Sequence, residues 1–404
     1  MRLLAPILLT MIALNASYAA EAPVKTAATV NFKTCDKPEW PKEALRKEQT
    51  GTVTLGFLIG DDGKVIDAVV RKSSGFPLLD EAAINGIKRC QFIPQTLNGV
   101  SFSSWTRLQY VWVLDTPEIA KRTVADAETY RTAALAGDAG ALYKLARIYR
   151  DGIGVQHDAE HYAKLLRTAA ANGNAEAEAE LAGNYLYGQA GINKDAAQAM
   201  AWYQRAASHG HAYSQLRMAN TYDTAKASAA DLAQAADWYR KAAGQGNHDA
   251  AYKLGQFYEQ GRGVAQDYAE AAIWYRQGAE AGHAACSYGL GTLYLRGLGM
   301  ERDPAQAALW FRKAADQRLP SAEAALANLY FSGAGIPQND AEGVKYLRRA
   351  AVASNISAMR QLGQLLAQGV HVPADPAEAA VWLDKAGRLS NMLPEAETLR
   401  LGDW

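Results

Sequence analysis

The chain has 404 residues, enough for two or more domains, and its 49% hydrophobic and 21% charged residues are the composition of an ordinary soluble globular protein. Lysine plus arginine and aspartate plus glutamate number 42 each. That balance excludes the basic footprint of a nucleic-acid binder, and no acidic or basic tail is present.

At the amino terminus, Arg2 precedes an apolar run from Leu3 to Leu14 that only Pro6 and Thr10 interrupt, and the small residues Ser17 and Ala19 follow. The pattern predicts a secretory signal over residues 1–19, cleaved after Ala19. The run is short for a bilayer, which needs about 20 apolar residues. An uncleaved signal would instead hold the protein at the inner membrane. Export predicts a near-neutral protein in an oxidising periplasm, with residues 20–33 as a linker.

Residues 34–115 read as strand, strand, helix, strand. Val53, Leu55, Phe57 and Ile59 alternate along one face, Asp-Gly at 62–63 marks a hairpin, and Ile66, Ala68 and Val70 share a face of the return strand. Leu79, Ala83, Ile87 and Cys90 fall on one helical stripe, and Leu108, Tyr110, Trp112 and Leu114 alternate again.

The domain resembles the C-terminal domain of the TonB family. The resemblance is carried by Pro38, Trp40 (where the family has tyrosine), Pro41, Ala44, Gly51, Val53, Gly63, Ser73, Ser74, Gly75, Leu79, Asp80, Ala82, Ala83, Phe92 and Pro94. It implies a small α+β domain, a three-stranded antiparallel sheet with a helix on one face. The last strand, 107–114, would be an edge that takes an extended peptide by strand addition, with Arg107, Gln109, Tyr110, Val111 and Val113 as contacts. Energy transducers of that family end with this domain, after a membrane anchor and a long proline-rich spacer. Here Ala20–Thr34 is 15 residues, a reach of roughly 50 Å, and 289 residues follow position 115. The chain has three cysteines. In an oxidising compartment Cys35 and Cys90 are the expected pair, closing a loop worth on the order of 4 kcal/mol in chain entropy; two buried thiols are the alternative.

From Thr116 onward the sequence repeats. A leucine or methionine recurs at 145, 181, 218, 254, 290, 326 and 362, and a tyrosine at 149, 185, 222, 258, 294 and 330. Gly-x-Gly turns follow at 152/154, 261/263, 297/299 and 333/335, and the copy around Tyr222 lacks one. Aromatic pairs keep the register at Trp202-Tyr203, Trp238-Tyr239, Trp274-Tyr275 and Trp310-Phe311, on a stripe between small residues. They read as wedges buried inside the repeat rather than as a ligand platform. The motif is similar to the Sel-one-like repeat, a tetratricopeptide-related family. The resemblance implies an all-α, right-handed superhelical solenoid over 116–390, a lead helix and seven helix pairs, with a tail at 391–404. Its first helices would line a concave groove, where Arg147, Gln256, Glu259 and Arg296 are candidate contacts. Cys286 stands where other copies carry alanine or serine, which makes it a small core residue.

No catalytic motif emerges. His157 and His161 share helical spacing, but Asp158 stands where a metalloprotease motif needs glutamate. No cofactor, metal, small-molecule ligand or nucleic acid is expected. The reading is a non-enzymatic interaction protein with a protein or peptide partner. The alternatives are a TonB-like component of energy-coupled outer-membrane transport, meeting membrane proteins of the envelope, and a cell-envelope enzyme.

Overall fold

The computed structural model describes residues 25–30, 35, 38–97, 99–112, 117–152 and 155–391. The signal, the cap at Thr116, Val113, Leu114, Gly154 and the tail beyond Asn391 lie outside the described residues. In chain order the first part contains β1 (Lys25–Thr26), β2 (Thr29–Val30), α1 (Lys42–Arg46), β3 (Gly51–Ile59), β4 (Val65–Lys72), α2 (Pro77–Ile87), β5 (Phe92–Ile93), β6 (Thr96–Leu97), β7 (Val100–Ser101) and β8 (Ser104–Trp112).

The main sheet is antiparallel in the order β4-β3-β8. Val53, Leu55, Phe57 and Ile59 are buried in one cluster with Leu79, Ala83 and Ile87 of α2. Three sequence expectations shift. A register irregularity between Leu58 and Ile59 pairs Ile59 with Val65, so Ile66 is pushed outward and stands exposed while Val65 joins the core. Helix α2 stops at Ile87, and Cys90 reaches the same core from beyond its end. The expected linker contains β1 and β2, which pair with β6 and β5. Cys35 and Cys90 are bonded to each other.

The second part opens with α3 (Pro117–Leu135). Seven pairs follow: α4/α5 (Ala139–Asp151, Ala159–Ala171), α6/α7 (Ala175–Tyr187, Ala196–Ser208), α8/α9 (Ala212–Tyr222, Ala229–Gly244), α10/α11 (His248–Gln260, Tyr268–Glu280), α12/α13 (Ala284–Arg296, Pro304–Asp316), α14/α15 (Pro320–Ser332, Asp340–Val352) and α16/α17 (Ile356–Gln368, Pro376–Asn391). Each second helix but the last, α17, packs between its own first helix and the first helix of the next unit. The local signals repeat: Asp138, Asn174, His211, Asn247, His283 and Asn355 cap first helices with their side chains. Left-handed glycines at 152, 188, 261, 297, 333 and 369 end them. Where the glycine is missing, Asp223 ends α8 without a left-handed turn, at φ −84°.

The aromatic pairs divide the labour. Tyr203, Tyr239, Tyr275 and Phe311 are buried, whereas Trp202, Trp238, Trp274 and Trp310 are only half-buried, a correction to the expectation that both are wedges. The tryptophans lie at the surface under cations: Arg205 over Trp202 at 4.6 Å, Lys241 over Trp238 at 4.2 Å and Lys313 over Trp310 at 3.9 Å. The buried ring is the wedge. Tyr275 lies between Gly255 of its own unit and Gly289 of the next, where an added Cβ would come within 2.4 and 2.9 Å of the ring.

Gly255→Ala should therefore lower the unfolding free energy by about 1–3 kcal/mol through overpacking, although alanine is the better helix former. Gly244→Ala, with open space around its Cβ, should be neutral or stabilising by up to about 1 kcal/mol. Chemical denaturation of both variants checks the contrast, and equal effects would contradict the wedge.

Candidate functional site

Strand β8 pairs along its whole length with β3, and among the described residues it has no partner on its other side. Its backbone thus presents a row of free hydrogen-bonding groups. Along it Arg107, Leu108, Gln109 and Val111 are exposed, Val111 to 59%, and Tyr110 is half-buried. Leu108 and Tyr110 lie on the core-facing side, beside Leu55 and Val53, but an edge strand has no further neighbour to cover them. Tyr110 packs on Trp112 at 5.4 Å, and Trp112 meets Trp40 edge-on at 5.3 Å. Burial raises the Tyr110 phenol above its ordinary value.

The opposite face of the sheet carries Arg71 and Arg107 as well as Asp67. Arg71 lies over Trp105 at 5.5 Å, and its burial, reinforced by the nearby charge of Arg107, brings its guanidinium down to about 10. Across from this face, Asp249 at the start of α10 receives His283 at 3.1 Å. That bond, above all, holds the Asp249 carboxyl below its ordinary value, and Arg107 adds to the effect. Burial, then the charge of His283, lowers His248.

The groove candidates are dispersed over the first helices. Arg147 on α4 is exposed and reaches the Tyr143 ring at 6.0 Å. Arg296, in the last turn of α12, is exposed. Gln256 is half-buried and donates to the Tyr252 hydroxyl at 2.9 Å. Glu259 is committed inward: its Oε2 accepts the Tyr275 hydroxyl at 2.8 Å. The signal for that commitment was in the repeat. The residue sixteen before the wedge is Asp223 for Tyr239, Glu259 for Tyr275, Leu295 for Phe311 and Phe331 for Leu347, while Tyr203 departs from the pattern with the exposed Tyr187. Asp223 likewise accepts from Tyr239, at 3.1 Å. A hydroxyl on the wedge calls for an acceptor, and an apolar wedge calls for an apolar residue.

Sequence reasoning also missed a buried charge cluster. Glu323 on α14, with 3% of its side chain exposed, is hydrogen-bonded by Arg349 of α15 and lies 4.0 Å from Arg318. Arg318 in turn bonds Asp67 of β4 at 2.9 Å. Burial pushes the Glu323 carboxyl up to about 7, against the pull of Arg349 and Arg318 and with the help of Asp67. Glu178, at the same place in α6, is also buried and bonded by Arg205 at 3.1 Å and His209 at 2.8 Å. His161 packs against the Tyr149 ring at a tilt, 4.9 Å between centroids, and lies 3.6 Å from Asp158, and no metal-ligating cluster of three occurs among the described residues. Burial raises the Cys286 thiol far above its ordinary value, consistent with a core residue.

The family model for the Sel1 repeat matches residues 139–174, 175–211, 212–247, 248–283, 284–319, 320–353 and 356–391. The model for the Gram-negative bacterial TonB protein C-terminal matches residues 36–114. Protein tonB2 of Pseudomonas aeruginosa is 35% identical over 68 residues, 17% of this chain and 25% of that protein. A crystal structure of a protective antigen of uropathogenic Escherichia coli, described as displaying an SLR fold, superposes with a TM-score of 0.54 at 32% identity. It covers 66% of this chain and 56% of its own. A Sel1 repeat protein from Oxalobacter formigenes superposes with a TM-score of 0.49 at 27% identity, over 67% of this chain and 78% of that one. The chain thus spans a quarter of the first of these relatives and just over half of the second.

Two outcomes follow from the buried polar groups. Tyr275→Phe should cost about 1–2 kcal/mol by orphaning Glu259, and adding Glu259→Leu, which copies the Phe311/Leu295 pair, should recover most of it. Additive losses in that double-mutant cycle would refute the coupling. For Glu323, the folded value near 7 lies above the ordinary 4.5. Its contribution to stability is therefore full below about 4.5 and is lost as the pH rises through 7. Glu323→Gln should flatten the pH dependence of the unfolding midpoint between these values by on the order of 1–3 kcal/mol; an unchanged profile would show that the carboxyl stays ionised throughout.

Proposed function

The chain belongs to the Sel1 repeat family, whose repeats generally act as protein-interaction scaffolds, and from that premise we propose that it is a non-catalytic interaction protein of the periplasm. It holds a protein or peptide partner on the first-helix face of its solenoid and by strand addition along β8. The observation that carries this reading is β8 itself, a nine-residue edge strand paired with β3 on one side and with no strand on the other among the described residues. Arg107, Gln109, Tyr110, Val111 and Val113 are the proposed edge contacts, and Arg147, Gln256 and Arg296 the proposed first-helix contacts. The Cys35–Cys90 bond and the TonB-like domain support an envelope location. The match to Protein tonB2 favours a second reading, a TonB-like component of energy-coupled outer-membrane transport, but it is confined to a quarter of that protein.

Photo-crosslinking residues placed at Gln109 and Arg296 should each give discrete protein adducts in intact cells. Val111→Lys, which blunts the edge, should reduce the Gln109 adduct at least tenfold and spare the Arg296 adduct. The mature chain should begin at Ala20 and fractionate with the soluble periplasm. Adducts at neither position, or a chain confined to the cytoplasm, would overturn the proposal; a chain retained in the inner membrane with adducts to outer-membrane receptors would favour the transport reading.

A further inference from the structure

Two of the turns that open the units differ from the rest. Glycine stands at 137, 173, 210, 246 and 282, with φ from 81° to 93°. A Cβ would meet nothing within 4 Å at four of these, and only the His209 ring at 3.7 Å from Gly173. The same register then places Arg318 and Ser354, both at φ 62°, where a side chain is strained. The sixth unit also gives up its cap: Leu319 stands where the other six have Asp, Asn or His, and it offers α14 no side-chain hydrogen bond. These turns are covered as well. Residues 245, 246, 281 and 282 are exposed, whereas their counterparts Gln317 and Arg318 are half-buried and Ala353 and Ser354 buried; Leu319 and Pro320 are buried where residues 247, 248, 283 and 284 are half-buried.

The cover is the amino-terminal domain. Asp67 of β4 bonds Arg318 at 2.9 Å, and Asp61 in the β3–β4 turn meets Lys385 of α17 at 3.3 Å. Leu97 of β6 and Phe102, fully buried, share one hydrophobic cluster with Ile356 and Met359 of α16 and Leu389 of α17. Both acids belong to the domain and both bases to the solenoid, so the two surfaces are complementary in charge around an apolar centre. We propose that the turn edge of the sixth and seventh units is a docking seat for the chain's own amino-terminal domain, built by these departures from the repeat. The seat fixes β8 in one position relative to the solenoid. At this position the first five turns have no side chain, so the domain has one place to make the Arg318 contact. Docking engages β4, at the opposite edge of the sheet from β8, and leaves the β8 ladder open.

The test is small-angle X-ray scattering of the full chain together with zero-length crosslinking of Lys385 to Asp61. Arg318→Gly with Ser354→Gly restores the glycines of the other turns and should keep the helical circular dichroism. It should enlarge the radius of gyration and reduce the crosslink at least tenfold. Asp61→Lys with Asp67→Lys should enlarge the radius in the same way, and adding Arg318→Asp with Lys385→Asp should restore it. A folded glycine variant with the parent's scattering and crosslink would overturn the seat, as would a charge-reversed variant that scatters like the parent. No partner is needed for any of these measurements, so their outcome is separate from that of the crosslinking in cells.

Discussion

A flat ring held between two helices is the constraint on which the solenoid depends. Tyr275 needs glycine on both sides, at Gly255 behind it and Gly289 ahead of it, and Phe311 lies as close against Gly291. A wedge with both faces occupied belongs to two units at once. No unit therefore has a complete core alone, and the repeats are stable only as a stack. The second glycines of the turns extend the same logic to the backbone. A Cβ at Gly263, Gly299 or Gly335 would fall 2.3–2.4 Å from the main chain of Leu232, Tyr268 or Pro304 in the preceding unit.

Once the wedges are fixed, the polar groups near them have few choices. The tyrosine hydroxyl is carried into the core and must find an acceptor, which is why an acid faces Tyr239 and Tyr275 but Leu295 faces Phe311. The arginine that follows each wedge reaches forward instead: Arg240, Arg276 and Arg312 donate to the hydroxyls of Tyr258, Tyr294 and Tyr330 in the next unit at 3.2, 3.1 and 2.9 Å. The recurring tyrosine of the first helix is thus a tie between units, not a free aromatic on the groove. This narrows the surface left for a partner to residues without such a duty, Arg147 and Arg296 among the sequence candidates.

The repeat was legible because its spacing is a packing period: the leucines, tyrosines and glycines had to recur at the interval the wedge imposes. The disulfide and the strand-strand-helix-strand order were legible for similar reasons, since alternation and redox environment act locally. What the sequence hid was set by partners far along the chain. Ile66 follows the alternation of its neighbours, and only the irregularity opposite Leu58 turns it outward. Residues 25–30 have no strong strand signal, and their pairing is supplied by β5 and β6 from the far side of the domain. Glu259 looked like an exposed acid until its relation to Tyr275 was counted across units. Arg318 was visible as a break in the glycine register, but its meaning rests on Asp67, some 250 residues earlier by sequence number.

The two halves of the molecule then bear on one another through a sheet with two edges. An edge strand invites unwanted pairing, and proteins blunt it with charge or cover it. Here Asp67 of β4 is tied to Arg318, while β8 carries only Arg107 and Gln109 as surface polar guards beside the exposed Val111. The Arg318 contact binds β4 to the sixth unit, which leaves β8 at the other edge of the sheet. A strand added to β8 would extend the sheet on the side away from β4 and its Arg318 contact. In the proposed docking the repeat solenoid does more than offer its own face: by holding β4 through Arg318 it fixes where the free edge of the sheet lies.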